Sequence, residues 1–217
     1  MLNIFKKNEK IKLGLRPGDK HYRAFIGPPE KYDLVSAMQF NLLTKYGLRE
    51  THSLLDIGCG SLRGGRLFII YLLEGKYFGV EPEKWLVKDG IKYELGKGII
   101  GFKKPKFLYK TDFDFSQFGE KFDFALAQSI FTHASQSQIN TCMKNLALVA
   151  NNEFKFLASF IEGEQNYDGE EWVYPGCVTY KYDYIKTIIE KYGFLCEKVD
   201  DIHPNNHTWL LISKKSE

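Results

Sequence analysis

The segment Leu54–Gly60, with the sequence LLDIGCG, constrains the fold of this chain more than any other. It begins as a short, mostly apolar run of strand length and ends in a glycine cluster that leads into a helical pattern, Leu62–Leu73. Strands buried on both faces have such runs, and they belong to parallel sheets covered by helices. Gly58 and Gly60 can adopt backbone angles that side chains forbid, and they let a ligand approach the main chain. The segment therefore predicts an α/β fold with a ligand-binding turn after its first strand.

Strand and helix patterns alternate along the rest of the chain. This alternation implies right-handed crossovers and a parallel sheet with helices on both faces. Only the short loop Asp200–His207 joins the last two predicted strands, so these two run antiparallel. We predict a seven-stranded, mostly parallel Rossmann-like sheet with an antiparallel last strand. The predicted strands are Ser53–Ile57, Tyr77–Glu81, Lys106–Tyr109, Phe122–Gln128, Phe154–Ile161, Phe194–Val199 and Thr208–Ser213; the predicted helices between and before them are Glu30–Lys45, Leu62–Leu73, Glu83–Leu95, Ser135–Ala150 and Tyr180–Tyr192.

The chain is predicted to form one domain, residues 30–217, preceded by an arm or lid, residues 1–29. The stretch Arg16–Pro29 is irregular and rich in glycine, proline and aromatic residues. We expect Tyr22, Arg23 and Phe25 to close over a bound ligand and exclude water. The alternative is an arm that simply packs on the fold.

Composition excludes several classes of protein. The 30 basic and 27 acidic side chains give a net charge of +3, which does not indicate nucleic acid or an anionic membrane as a partner. No apolar run approaches the roughly 20 residues of a membrane span, and Met1–Phe5 is too short for a signal peptide, so we expect a cytoplasmic protein. The cysteines are widely scattered, so we predict no disulfides. The sequence has no tight cluster of acidic residues, so we predict no metal site.

Acidic residues lie at or just after the carboxyl ends of three of the predicted strands. Asp56 lies just before Gly58, where a carboxylate suits a cationic ligand and disfavours a pyrophosphate. Glu81 ends the second strand, where an acid can accept hydrogen bonds from both ribose hydroxyls. Asp112 follows the third strand and could accept from an adenine amino group; Asp114 is the alternative, and both could instead cap a turn.

Together these segments resemble the class I S-adenosylmethionine-dependent methyltransferases. The resemblance rests on LLDIGCG, YFGVEPE, TDF and FDFALAQSIFTH, and it implies that the glycine loop and first acid hold the amino-acid part of the cofactor while the second acid holds the ribose. The stretch AFIGPPEKYDLVSAMQF is similar to a bacterial subgroup often found beside cell-surface polysaccharide genes. The candidate cofactor-binding residues are Asp56, Gly58, Gly60, Glu81, Asp112 and Gln128.

His133, just past the fourth strand, is the candidate catalytic base, because a histidine with an ordinary pKa of roughly 6.5 can accept a proton at neutral pH. The alternative is that His133 only begins the next helix. The long stretch Glu162–Thr179 and the last loop supply aromatic and polar groups suited to a polar, ring-bearing substrate. The candidate substrate-binding residues are Glu162, Trp172, Tyr174 and His207.

The leading hypothesis is an S-adenosylmethionine-dependent O-methyltransferase acting on a small molecule or a saccharide-linked precursor. Two alternatives stay open: a nicotinamide-dependent oxidoreductase, and a non-catalytic protein that binds the cofactor. Nucleic acid is not an expected substrate, because the segment after the fourth strand reads AQSIFT and carries no N-P-P-[YF] or D-P-P-[YF] motif.

Overall fold

The computed structural model describes residues 14–215, and a seven-stranded sheet runs through their centre. Its order is β3-β2-β1-β4-β5-β7-β6. Strands β1 to β5 are mutually parallel, and β7 runs antiparallel to both β5 and β6, which confirms the predicted sheet. The strands are β1 Leu54–Ile57, β2 Tyr77–Val80, β3 Lys106–Leu108, β4 Phe122–Ala127, β5 Ala150–Phe160, β6 Phe194–Val199 and β7 Thr208–Lys214.

Helices cover both faces of the sheet. Within residues 14–215, none of them is long and apolar enough to cross a membrane. The α-helices are α1 Tyr32–Lys45, α2 Gly65–Tyr71, α3 Lys84–Gly90, α4 Lys97–Lys103, α5 Gln136–Val149 and α6 Tyr182–Glu190.

Several elements differ from the sequence-based prediction, and three of these differences have a local physical reason. The predicted helix Glu83–Leu95 is α-helical only over Lys84–Gly90 and continues as a π-helical turn. Helix α2 begins at Gly65, because Leu62 has a φ of 61° and cannot lie inside a right-handed helix. Helix α4 was not predicted, since two glycines lower its helix propensity. Strand β5 begins at Ala150, four residues before its predicted start, because its first residues are polar and lack an apolar strand pattern. Asn151 in this polar part donates a hydrogen bond of 2.6 Å to Asp123 on β4.

The core lies on both faces of the sheet. In β1, Leu54 packs with the apolar side chains of α1 and α2, whereas Leu55 and Ile57 pack with those of α5 and α6. All four residues of β1 are therefore buried, which is the physical reason that three of the four are large and apolar. The four cysteines are free thiols.

The sheet order reverses between β1 and β4. From β1 the chain moves outward to β2 and β3, and then returns to place β4 on the other side of β1. Because these strands are parallel, the carboxyl ends of β1, β2 and β4 lie side by side. A crevice forms outside the strand ends at such a reversal, and it is where open α/β sheets bind ligands.

The described part of the predicted arm, residues 14–29, packs against the body of the protein. Tyr22 and Ala24 are buried, and the Phe25 ring lies edge-on to Trp85 with centroids 5.2 Å apart. Residues 1–13, the rest of the predicted arm, lie outside the described residues.

Glu94 fastens this arm to the fold. Its side chain is 6% exposed and lies in a π-helical turn that continues α3. One carboxylate oxygen accepts from the Tyr22 hydroxyl at 2.8 Å and from Arg23 at 2.6 Å, and the other accepts from Arg66 of α2 at 2.7 Å. One buried acid thus joins the arm, α2 and the end of α3.

We expect Glu94→Gln to lower the free energy of unfolding by roughly 2–4 kcal/mol, because two arginines lose a buried charged partner. Urea unfolding followed by circular dichroism measures this change. Glu74→Gln is the matched control: Glu74 pairs with Lys104 but is 55% exposed, so its loss should cost within about 0.5 kcal/mol. Equal effects of the two substitutions would contradict the fastening role of Glu94.

Candidate active site

The glycine loop after β1 depends on the absence of side chains. Gly58 and Gly60 have φ values of 71° and 54°. A Cβ on Gly58 would lie 2.1 Å from the Ile130 side chain, and one on Gly60 would lie 2.9 Å from Ile26. The loop is therefore in close contact with both the segment after β4 and the arm, and no larger residue fits at either position.

A third glycine, Gly64, follows the glycine loop and makes room for a side chain of α1. A Cβ there would lie 1.8 Å from the amide oxygen of Gln39 on α1. Leu62 instead takes the left-handed conformation, with its side chain fully buried in the core. Gly64 thus makes room for a side chain that reaches the ligand cavity from α1.

A cavity of about 470 Å³ lies at the carboxyl ends of β1, β2 and β4. It collects most of the residues predicted from the sequence, together with several that sequence reasoning missed. The predicted residues in its lining are Asp56, Gly58, Gly60, Glu81, Gln128, His133, Trp172, Tyr174 and Phe25; the additional ones include Ile26, Gln39 and Arg63. Among residues 14–215 no group of histidine, cysteine and acidic side chains is arranged to hold a metal ion.

Several predicted residues lie outside the lining. Tyr22 and Arg23, which were expected to close over the ligand, instead donate hydrogen bonds to Glu94. Asp112 is exposed and accepts a hydrogen bond from the Asp114 N–H at 3.0 Å, while its chain neighbours face the cavity. Glu162 forms an ion pair of 2.7 Å with Lys198 on the surface. His207 stacks on His203 with ring centroids 4.0 Å apart. The structure does not bring these side chains to the cavity, and their roles stay predictions.

Two buried carboxyl groups line the glycine-loop side of the cavity. Asp56 accepts a hydrogen bond of 2.6 Å from the Tyr77 hydroxyl, and burial raises its pKa to about 6. Glu81 accepts from the Gly60 N–H at 3.0 Å and from the Glu83 N–H at 2.9 Å, yet burial raises its pKa to about 7. Both acids lack a positive partner within ion-pair distance among the described residues, so a cationic ligand would be favourable beside them.

A polar network forms the wall next to β4. The buried Gln128 amide oxygen accepts from Gln39 at 2.9 Å and from the Arg63 guanidinium. Arg63 also donates to the Ile26 carbonyl at 3.0 Å, and burial lowers its pKa to about 10. The sequence signal for Arg63 was a charged residue inside a glycine-rich loop, which is unusual if the loop has only a structural role.

The third wall holds His133. Its Nδ1 lies 2.9 Å from the Val173 carbonyl and 2.8 Å from the Gly176 carbonyl. Carbonyl oxygens only accept hydrogen bonds, so in the neutral ring Nδ1 carries the proton and Nε2 is the unprotonated nitrogen. Burial lowers the pKa of His133, although the two carbonyls act in the opposite direction.

Aromatic rings surround this histidine. The centroids of Trp172 and Tyr174 lie 5.4 Å and 5.2 Å from that of His133. Tyr174 also contacts Phe25 of the arm at 5.5 Å. A backbone hydrogen bond of 2.9 Å from the Val173 N–H to the His133 carbonyl holds the long loop against this wall. The cavity therefore has an acidic side on the glycine loop and an aromatic side with one neutral histidine.

Comparisons with known proteins identify the fold. No protein-family model matches the chain, and no curated protein matches it. Among solved structures, a magnesium protoporphyrin IX methyltransferase from Synechocystis with bound S-adenosylhomocysteine shares 16% identity over 86% of this chain and 87% of its own, with a TM-score of 0.63. An S-adenosylmethionine-dependent methyltransferase from Clostridium acetobutylicum shares 13% identity over 99% of this chain and 100% of its own, with a TM-score of 0.63.

A third similar structure is the glycopeptide N-methyltransferase MtfA in complex with S-adenosylhomocysteine. It shares 11% identity over 84% of this chain and 90% of its own, with a TM-score of 0.62. Identities this low establish shared architecture, and the sheet order and glycine loop described above agree with it. The chain has the fold of the class I S-adenosylmethionine-dependent methyltransferases.

Proposed function

We propose that this protein is an S-adenosylmethionine-dependent methyltransferase that transfers a methyl group to an oxygen atom of a small molecule or a saccharide-linked precursor. One observation carries the proposal: Asp56, Glu81 and His133 all line one cavity, together with Gly58 and Gly60 of the glycine loop. The acids suit a cationic donor, and the histidine suits a hydroxyl acceptor. The similar structures include an N-methyltransferase, so they do not identify the acceptor atom. The choice of oxygen rests on His133.

The residues present fit this cofactor. A volume of about 470 Å³ lies within the range of small-molecule and cofactor sites. Glu81, at the end of β2, would hold the ribose hydroxyls, and Asp56 with the glycine loop would hold the amino-acid part. When bound, S-adenosylmethionine supplies a methyl group already activated by its sulfonium. The buried acids would then gain the positive partner that the described side chains do not provide.

The protein's own contribution is positioning and proton removal. The cavity walls hold the acceptor beside the donor, and alignment of this kind supplies roughly 7–11 kcal/mol in well-oriented reactions. His133 accepts the hydroxyl proton at Nε2 as the new bond forms. The carbonyls of Val173 and Gly176 stabilise the resulting imidazolium through Nδ1–H. Phe25 and Ile26 of the arm cover the cavity and exclude water.

The alternative functions are less well supported by the same geometry. A nicotinamide dinucleotide would place its pyrophosphate at the glycine loop, beside the Asp56 and Glu81 carboxyl groups. A non-catalytic protein would not require a histidine held in one tautomer in the cavity wall. Calorimetric titration with S-adenosylmethionine, S-adenosylhomocysteine and NAD distinguishes a methyltransferase from a nicotinamide-dependent oxidoreductase. A turnover assay over candidate acceptors distinguishes a methyltransferase from a protein that only binds the cofactor.

The aromatic wall supports a ring-bearing acceptor. Trp172, Tyr174 and Phe25 present ring faces and edges to the cavity, and such surfaces pack well against sugars or planar rings. This composition, with the sequence similarity to a subgroup found beside polysaccharide genes, supports a saccharide-linked acceptor within the proposed class.

The first test concerns Glu81. Glu81→Ala should weaken binding of S-adenosylmethionine at least about tenfold, because a hydrogen bond to a charged group is worth roughly 1.5–3 kcal/mol. Isothermal titration calorimetry measures the affinity. The control is Glu197→Ala, which removes an exposed acid on β6 and should leave the affinity unchanged. A folded Glu81→Ala protein with unchanged affinity for S-adenosylmethionine would contradict the assignment of Glu81 to the ribose hydroxyls.

A second test concerns the arm as a lid. Deleting residues up to Pro29 would also remove Tyr22 and Arg23 from Glu94 and reduce stability, so a point substitution is cleaner. Phe25→Ala should weaken cofactor binding about fivefold, the equivalent of roughly 1 kcal/mol of aromatic packing. Phe102→Ala, on the exposed face of α4, is the control. Normal cofactor affinity in the Phe25 variant would rule out the lid.

The third test concerns His133. Once an acceptor is found, His133→Ala should lower turnover by roughly 10²–10⁴ while cofactor affinity stays nearly intact. His133→Gln should not restore activity, because an amide cannot accept the proton; restored activity would indicate that His133 only orients the acceptor. The control is His52→Ala, at the opposite end of β1 from the cavity. Full activity of the His133→Ala protein would exclude both roles and direct attention to His203, His207 or Glu162.

The pH dependence of kcat gives an independent readout. Since burial lowers the pKa of His133, the neutral base is present at pH 7, and kcat should decrease with an apparent pKa below 6.5 as the pH falls. This acidic limb should be missing from the residual activity of the His133→Gln protein. An identical limb in both proteins would assign the titration to another group.

A further inference from the structure

Arg63 is a buried cation without an acidic partner. Its residue surface is 6% exposed, it lines the cavity, and its two hydrogen bonds go to neutral oxygens, those of Ile26 and Gln128. Its Nε is buried and makes no hydrogen bond. Among residues 14–215 no carboxylate lies within ion-pair distance of Arg63. The nearby Asp56 carboxylate accepts its hydrogen bond from Tyr77 instead.

Within ion-pair distance, the described groups around Arg63 supply no negative charge, and Asp56 acts on it only from farther away. Tyr174 shares the cavity lining, and its hydroxyl oxygen is also buried without a hydrogen-bond partner in the described part of the chain. Burial lowers the pKa values of His203 and His207, and the positive charge of Arg63 lowers both further, so these rings are neutral at pH 7. This end of the cavity therefore holds one positive charge and two polar atoms that lack partners.

A buried charge left unpaired is costly to folding, and a bound anion removes that cost. Guanidinium groups bind carboxylates and phosphates through directed N–H donors. A carboxylate carries a single negative charge, which matches one arginine, whereas a phosphate dianion would keep one charge uncompensated. The Tyr174 hydroxyl lacks a hydrogen-bond partner among the described residues and can donate a further hydrogen bond to the same anion.

We propose that the methyl acceptor carries a carboxylate group, which binds Arg63 with help from Tyr174, while its hydroxyl group lies at His133. This inference rests on the proposed methyltransferase function and narrows its substrate class to hydroxy acids, either hexuronate-containing saccharides or ring-bearing hydroxy acids. Arg63 selects and positions the acceptor; the proton is removed by His133.

The test compares acids with amides of the same shape. The probes are D-glucuronate with D-glucuronamide, and 4-hydroxybenzoate with 4-hydroxybenzamide, each titrated into the protein saturated with S-adenosylhomocysteine and followed by NMR. At least one acid should bind the wild-type protein ten times more tightly than its amide. Arg63→Gln should abolish this preference, and Arg63→Lys should retain part of it. Arg49→Gln is the control, because Arg49 bonds only to carbonyls at the end of α1, and it should keep the full preference.

Two results overturn the inference. The first concerns the preference for acids over amides: the inference is wrong if the wild-type protein shows no such preference, which includes the case in which neither acid binds. It is also wrong if the preference persists in a folded Arg63→Gln protein. The other is a tenfold loss of S-adenosylhomocysteine affinity in Arg63→Gln with unchanged affinity for methylthioadenosine, which lacks the carboxylate; Arg63 would then serve the cofactor.

Failure of the proposed function has a different signature, namely no binding of S-adenosylmethionine or S-adenosylhomocysteine to the wild-type protein. If neither cofactor form binds, the acid and amide titrations are carried out on the protein without S-adenosylhomocysteine. An acid preference that depends on Arg63 under those conditions supports the anion site, and its absence overturns it.

Discussion

The parallel pairing of β1 with both β2 and β4 is the constraint on which the rest of the structure depends. Asp56 pairs in register with Gly79 on one side and Leu126 on the other, so three strands end at one edge of the sheet. Each strand end then delivers its next residues into the same crevice: the glycine loop, Glu81, and the segment from Gln128 to His133. The cavity is a consequence of this topology and of the helices that cover both faces.

The titratable groups in the cavity and next to it are arranged for a ligand and not for stability. His203 and His207 have folded pKa values of about 3 and 4, below the ordinary value of about 6.5, so their contribution to stability is lost as the pH falls through that window. Asp56 and Glu81 act in the opposite sense. Their pKa values rise to about 6 and 7, so the folded chain binds more protons from about pH 4 upward and loses stability as the pH rises through that window. A cation near the acids and an anion near Arg63 would relieve the cost at neutral pH.

Long-range contacts hold the walls of the cavity in place. The arm is fastened by Glu94, 71 residues from Arg23 along the chain, and it in turn places Ile26 against both Gly60 and Arg63. The loop after β5 is held by the backbone and ring of His133. These two segments meet where Phe25 contacts Tyr174, so these two walls of the cavity support each other.

The sequence by itself determined the fold class, the positions of the seven strands along the chain to within short shifts at their ends, and two acids at the ends of the first two strands. These follow from local patterns: a strand buried on both faces needs a continuous apolar run, and a tight turn with positive φ favours glycine at Gly58 and Gly60. Helix α4 and the polar start of β5 escaped prediction because their local patterns are weak and packing decides them.

Only the tertiary structure decided which polar residues face the cavity and in which state. Asp112 and Thr111 are neighbours in the sequence, yet only Thr111 lines the cavity, because side-chain direction depends on the turn that follows β3. The tautomer of His133 is set by carbonyls 40 and 43 residues away. Arg63 became a candidate anion site only when the fold buried it without an acid. Burial and partner distance arise from contacts between distant segments, and no local sequence pattern encodes them.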